Sequence, residues 1–169
     1  PQTPLDEVAE GFDALVKAGK IRSSGASNFT AERLAASLDA AARVGATPYT
    51  ALQNEYNLVA RDQYEGAVQD LCVKRGVIML PYYGLASGFL TGKSRSEADL
   101  AGRARGESVR RYLQTGQAAL ATLDAVAAET GATQAQVALA WINAKPGIGA
   151  PIASATSAEQ VRELCGAAS

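Results

Sequence analysis

Val77-Ile78-Met79-Leu80-Pro81-Tyr82-Tyr83-Gly84 is the stretch that decides the fold of this chain. Four apolar residues in succession follow Gly76 and give way at once to a proline and two tyrosines. Such a short, unbroken run reads as a strand buried on both faces, with an aromatic tip. Two more strand starts lie upstream, at Ile21 and Tyr49, and the three recur at an interval of 28 residues. Ile148 to Ala153 reads as a fourth strand. Each strand ends in a polar tip: Ser27-Asn28, Gln53-Asn54, Tyr82-Tyr83 and Ser154 to Thr156.

Helical patterns fill the intervals. Residues 4–18 carry Val8, Phe12, Leu15 and Val16 on one face, with Thr3 read as the cap and Pro4 as the first helical position. Thr30 starts a second helix that closes at Gly45. A third runs from about Asp62 to Arg75, and a fourth from about Gln117 to Glu129. Thr133 and Gln136 form a capping-box pattern for a fifth, and Ser157 and Gln160 repeat it for the last. Strands alternating with helices imply parallel pairing through right-handed crossovers. A closed eight-stranded barrel needs about 250 residues, and this chain has 169. The expected architecture is therefore α/β, with about four parallel (β/α) units in one partial barrel domain over residues 1–169. A chain that opens on Pro1, directly before a helix start, reads as a piece of something longer. Bare sheet edges recruit partners, so self-association or pairing with a complementary half is expected.

Residues 84–116 interrupt the rhythm. They are rich in Gly, Ser and Arg and show few core positions, so they read as a long functional loop with a short helix near 107–114. Lys93, Arg95, Arg103, Arg105, Arg110 and Arg111 make it basic. A solvated face and a clamp over an anionic ligand are the competing readings.

Composition narrows the function. The chain is 47% hydrophobic and 20% charged, with a net charge of -1, which argues against a general nucleic-acid binder. No apolar run approaches the ~20 residues needed to cross a bilayer. No signal peptide pattern is visible, and Cys72 and Cys165 read as buried, reduced thiols, which fits a cytoplasmic setting. The absence of histidine and the wide separation of the two cysteines leave no zinc ligand set and no base for an activated nucleophile. Gly84 to Ser94 resembles a phosphate-binding loop, but Ser87 stands where that motif requires glycine.

The tips offer hydrogen bonds rather than acid–base chemistry. Ser27 and Asn28 provide a hydroxyl and an amide, or an ordinary turn. Gln53 can both donate and accept, or belong to a plain polar loop. Tyr82 can stack on a planar ring, or pack on its neighbours. Ser154, Thr156 and Ser157 stand at a helix start, where capping and anion binding use the same residues.

Taken together, Gly25-Ala26-Ser27-Asn28-Phe29, Leu52-Gln53-Asn54-Glu55-Tyr56-Asn57, Pro81-Tyr82, Leu85 to Lys93, and Ala150-Pro151-Ile152 running to Glu163 resemble the aldo-keto reductases, in that family's order. The resemblance implies the C-terminal half of a TIM (β/α)8 barrel that binds NADP(H), with NAD(H) open as well. It implies that Ser27, Asn28 and Gln53 hold the nicotinamide carboxamide and that Tyr82 stacks on the ring. Leu85, Ser87 and Lys93 would line the phosphates, and Ser154, Thr156, Gln160 and Glu163 the adenosine end. Tyr83-Gly84 departs from a common Ser-Pro, Ser154 from a frequent glycine, and Leu164 from the usual asparagine. The family's catalytic residues come from the earlier half, so this chain has no catalytic candidate. In the complete protein the resemblance implies reduction of a small carbonyl substrate, whereas the isolated half is expected to be inactive. The alternative is a non-catalytic half-barrel that binds or assembles through its open edges.

Overall fold

The computed structural model describes residues 3–102 and 106–168; Arg103 and Arg105 of the basic segment lie outside these. Helix α1 (Leu5–Lys17) is followed by β1 (Gly25–Ser27), α2 (Ala31–Val44), β2 (Ala51–Gln53), α3 (Ala67–Arg75) and β3 (Ile78–Met79). Then come α4 (Gly106–Leu113), α5 (Gln117–Thr130), α6 (Gln134–Asn143) and α7 (Ala158–Cys165). The strands pair in parallel in the order β1-β2-β3. Gly25 aligns with Ala51 and Ile78, Ala26 with Leu52 and Met79, and Ser27 with Gln53.

This register separates two faces, because successive side chains on a strand point to opposite sides. Ala26, Leu52 and Met79 are buried and join Leu34 and Leu38 of α2, Cys72 of α3, and Leu139 and Ile142 of α6. On the opposite face Gly25 and Ser27 are exposed, and Ile78 retains 48% of its surface. A Cβ on Gly25 would lie 2.8 Å from the Ala51 carbonyl oxygen, so the close β1–β2 approach requires glycine there.

Among the described residues the strands are shorter than expected, and three form rather than four. The first begins at Gly25, not Ile21, and the second at Ala51. The stretch expected as a fourth strand runs beside β3 with only one bridge, Met79 to Ile148. Met79 N donates to Gly147 O at 2.7 Å, Gly149 N to Met79 O at 2.8 Å and Ile152 N to Pro81 O at 2.7 Å. Gly147 sits at φ 81, and Pro151 has no N–H to donate, so a regular ladder cannot continue.

Helix starts also differ in detail. Pro4 takes the cap position of α1 and Thr3 supplies no cap. α3 begins at Ala67 rather than near Asp62. The capping box at Thr133 and Gln136 forms in full. At α7 only half of one forms: Ser157 accepts from Gln160 N, while the Gln160 side chain turns to Thr156.

The largest correction concerns residues 84–116. This is not a core-poor loop. It contains 3-10 turns at Ala86–Thr91 and Glu97–Leu100 and the helix α4. Phe89, Leu90, Leu100, Val109, Tyr112 and Leu113 bury a second cluster against Leu120 and Leu123 of α5. Its apolar residues are spread among Gly, Ser and Arg, so no single window shows a period. Cys72 is buried as expected, but Cys165 is exposed on α7. Among the described residues no helix is long and apolar enough to cross a membrane.

Candidate functional site

The first three strand tips converge through hydrogen bonds. Ser27 Oγ donates to Gln53 O at 3.1 Å, and Asn28 N donates to the same carbonyl at 3.0 Å. The Tyr82 hydroxyl donates to Asn28 Oδ1 at 2.8 Å. Ser27, Asn28, Gln53 and Tyr82 therefore form one connected group. Its members are exposed or half-buried, so the group faces outward from the core. The Gln53 carboxamide makes no hydrogen bond to any described residue. It keeps both a donor and an acceptor available. The Tyr82 hydroxyl is pushed above its ordinary range, first by burial and then by the negative charge of Glu55. It stays protonated at neutral pH and acts as a donor.

The polar run after β2 does something its sequence did not suggest. Asn54, Glu55 and Asn57 are all buried, at 3%, 8% and 0% exposure, and each reaches a different neighbour. Asn54 Nδ2 donates to Phe29 O at 3.0 Å and Gln63 O at 3.2 Å. Glu55 Oε1 accepts from Arg111 at 2.7 Å and from the Tyr112 hydroxyl at 2.8 Å, which docks α4 beside the tips. Asn57 Nδ2 donates to Tyr83 O at 3.0 Å, and its Oδ1 accepts from Val59 N at 3.0 Å. The run is a hub that ties the tips together. The missed signal was its density of hydrogen-bonding side chains beside Tyr56, which is itself fully buried.

The tips are also where the backbone is strained. Among the described residues, the non-glycine residues with left-handed φ are Asn28 (56°), Tyr83 (55°), Ala86 (49°) and Ser87 (58°). Each such residue costs of order 1–3 kcal/mol, and all four lie at predicted site positions or beside them. Leu85, half-buried in this turn, packs against both apolar clusters.

Three arginines of the basic segment pair with carboxylates of the segment itself and of neighbouring elements. Arg95 pairs with Asp124 through two bonds of 2.8 and 2.7 Å. Arg110 pairs with Glu97 and Glu107, and Arg111 with Glu55. These three arginines are exposed but paired, a solvated face whose charge is met by carboxylates rather than an open anion clamp. Lys93 is exposed and has an interaction partner.

The remaining predicted residues gather at the start of α7. Thr156 N and Oγ1 both donate to Gln160 Oε1, at 2.8 and 3.1 Å. The Glu163 backbone carbonyl accepts from Gln136 at 3.0 Å. Ser154 is exposed. A cavity of about 790 Å³ lies between α6 and this segment, lined by Leu139, Ala153, Ala155, Val161 and Leu164 among others. None of the predicted site residues lines it. Ala153 and Ala155 point into it, while the alternate positions Ser154 and Thr156 are not part of its wall. No cluster of metal-ligating side chains occurs among the described residues.

The profile of the aldo/keto reductase family matches residues 1–169. An aldo-keto reductase of Fusarium vanettenii is 28% identical over 170 residues, covering 99% of this chain and 45% of the relative. A probable voltage-gated potassium channel subunit beta of Arabidopsis thaliana is 28% identical over 174 residues, covering 95% and 51%. The crystal structure of a thermostable aldo-keto reductase in complex with the inhibitor epalrestat superimposes with a TM-score of 0.72 at 28% identity, covering 99% of this chain and 50% of that one. The chain spans about half the length of the curated relatives it matches.

Proposed function

Because the chain belongs to the aldo/keto reductase family, we propose that it is the C-terminal half of a (β/α)8 barrel whose strand tips hold NADP(H). The observation that carries this reading is the joined group of Ser27, Asn28, Gln53 and Tyr82, with the Gln53 carboxamide uncommitted beside it. A nicotinamide carboxamide needs a donor and an acceptor at one place, and a planar ring needs an aromatic face. The donor set here fits both demands. Ser27, Asn28 and Gln53 would orient the carboxamide, and Tyr82 would lie against the ring. Leu85, Ser87 and Lys93 would follow the phosphates. Thr156 and Gln160 are bonded to each other, so with Ser154 and Glu163 they would shape the adenosine end rather than grip it strongly.

When bound, the cofactor supplies the hydride for reducing an aldehyde or ketone. The residues of this chain would orient and shelter it. A carbonyl reductase also needs an acid at the carbonyl oxygen, and on this reading that group would come from the earlier half of the barrel. The 169-residue chain should therefore bind NADPH weakly and oxidise none of it with a carbonyl compound. Titration of NADPH fluorescence against the chain and its Gln53→Ala variant tests the assignment. Weaker binding by the variant supports it, and identical curves remove Gln53 from the site. Carbonyl-dependent NADPH oxidation would overturn the expected inactivity.

A second reading is favoured by one observation, the half-exposed Ile78 on the open sheet face. Ile78 lies on β3, at the end of the paired order β1-β2-β3; the open edges of a partial sheet recruit partners, and a half-barrel could cover this residue by pairing with another half. A strict monomer in concentrated sedimentation runs would remove this reading.

A further inference from the structure

The turn after β3 is held from outside itself. Tyr83, Ala86 and Ser87 are all left-handed, a backbone that residues with a Cβ adopt reluctantly. Within the turn, Tyr83 O accepts from Ala86 N at 2.7 Å, and Leu85 O accepts from Gly88 N at 2.9 Å. Tyr83 O also accepts from Asn57 Nδ2 at 3.0 Å. Asn57 is fully buried and fixed before it meets Tyr83. Its Oδ1 is held by Val59 N, and its backbone N–H and C=O both pair with Ala60, at 3.0 and 3.2 Å. Moving Tyr83 out of the left-handed region would re-aim its carbonyl and break both bonds it accepts.

We propose that Asn57 is a positioning residue, whose carboxamide splints the left-handed turn 83–88 and so sets how Tyr82, Leu85 and Ser87 are presented. The consequence for a ligand rests on the cofactor reading above, while the splint itself does not. The test measures amide hydrogen exchange in the 169-residue chain at Ala86 and Gly88, with Leu80 of the sheet as control, alongside NADPH titration.

One lost hydrogen bond predicts that Asn57→Ala speeds exchange at Ala86 and Gly88 about tenfold, with Leu80 unchanged, and weakens NADPH binding by a similar factor. Adding Tyr83→Gly, which relieves the left-handed backbone, should recover most of both losses; a general packing defect would not be rescued this way. Unchanged exchange in Asn57→Ala, a rise shared by Leu80, or no recovery with Tyr83→Gly would overturn the proposal. If the unaltered chain fails to bind NADPH, the cofactor reading fails and the exchange measurements still decide the splint. Should Asn57→Ala not fold, Tyr83→Val and Tyr83→Gly decide the matter, because the Tyr83 side chain is half exposed. Valine should speed exchange at Ala86 and glycine slow it, and equal rates would overturn the splint.

Discussion

Replacing Glu55 with alanine removes the carboxylate that docks α4 beside the strand tips. Glu55 is 8% exposed and Tyr112 is 5% exposed, and the hydroxyl reaches Glu55 Oε1 at 2.8 Å. Tyr112 is pushed well above its ordinary pKa, by burial first and by its bond to Glu55 second, so it donates at any ordinary pH. Losing a hydrogen bond to a charged partner costs about 1.5–3 kcal/mol. Arg111 contributes less, because its side chain is 49% exposed and regains water on losing its partner; a pair so placed is worth about 0.5–1 kcal/mol. The sum is about 3 kcal/mol, or a fall in Tm of about 6–12 °C for a chain of this size. Urea unfolding followed by Trp141 fluorescence and by far-ultraviolet circular dichroism reads it, since Trp141 stacks on Tyr56 at 5.5 Å. In a Tyr112→Phe background, Glu55→Ala should lose only about a quarter as much, because the shared bond is already gone and the Arg111 pair alone remains. A loss below about 1 kcal/mol, or an equal loss in both backgrounds, would refute the reasoning.

Acid should loosen α1. The ion pair with Lys17, and then the Thr47 hydroxyl and amide, hold Asp13 down at about 2. A carboxylate with a lowered folded pKa stabilises fully above its unfolded value, near 4, and loses that contribution as pH falls toward about 2. Urea midpoints should therefore drop across that window, and Asp13→Asn should flatten this part of the curve. The cysteines should react differently with a thiol reagent, because Cys165 is exposed while burial lifts the Cys72 thiol to about 11. One equivalent should react in the folded chain and two in denaturant; two in the folded chain would contradict the burial of Cys72.

The alternation of strand and helix was legible because each unit is local. Val77 to Leu80 stood out as an apolar run, and Thr133 with Gln136 announced a helix start from four residues. The fourth strand was misread because an apolar run carries no mark of its ladder, and Gly147 and Pro151 prevent one. The segment 84–116 was misread for a different reason. Phe89 finds its partners in Tyr112 and in α5, well along the chain, so no local pattern reveals its burial. The tip residues were legible as polar positions after strands. Their roles were not: Gln53 and Asn57 look alike in sequence, but Gln53 keeps its carboxamide uncommitted while Asn57 turns inward to Tyr83. Direction relative to the core is a tertiary property, set here by the β2–β3 register and the turn that follows.

Leu85 packs against both apolar clusters. Regions with separate apolar cores can open as separate cooperative units, and a side chain shared between them couples their melting. A molecule seated on Leu85 would stabilise the sheet unit and the α4–α5 unit through the same contact. Its binding energy would then appear as cooperativity as well as stability: two overlapping thermal transitions would draw together into one.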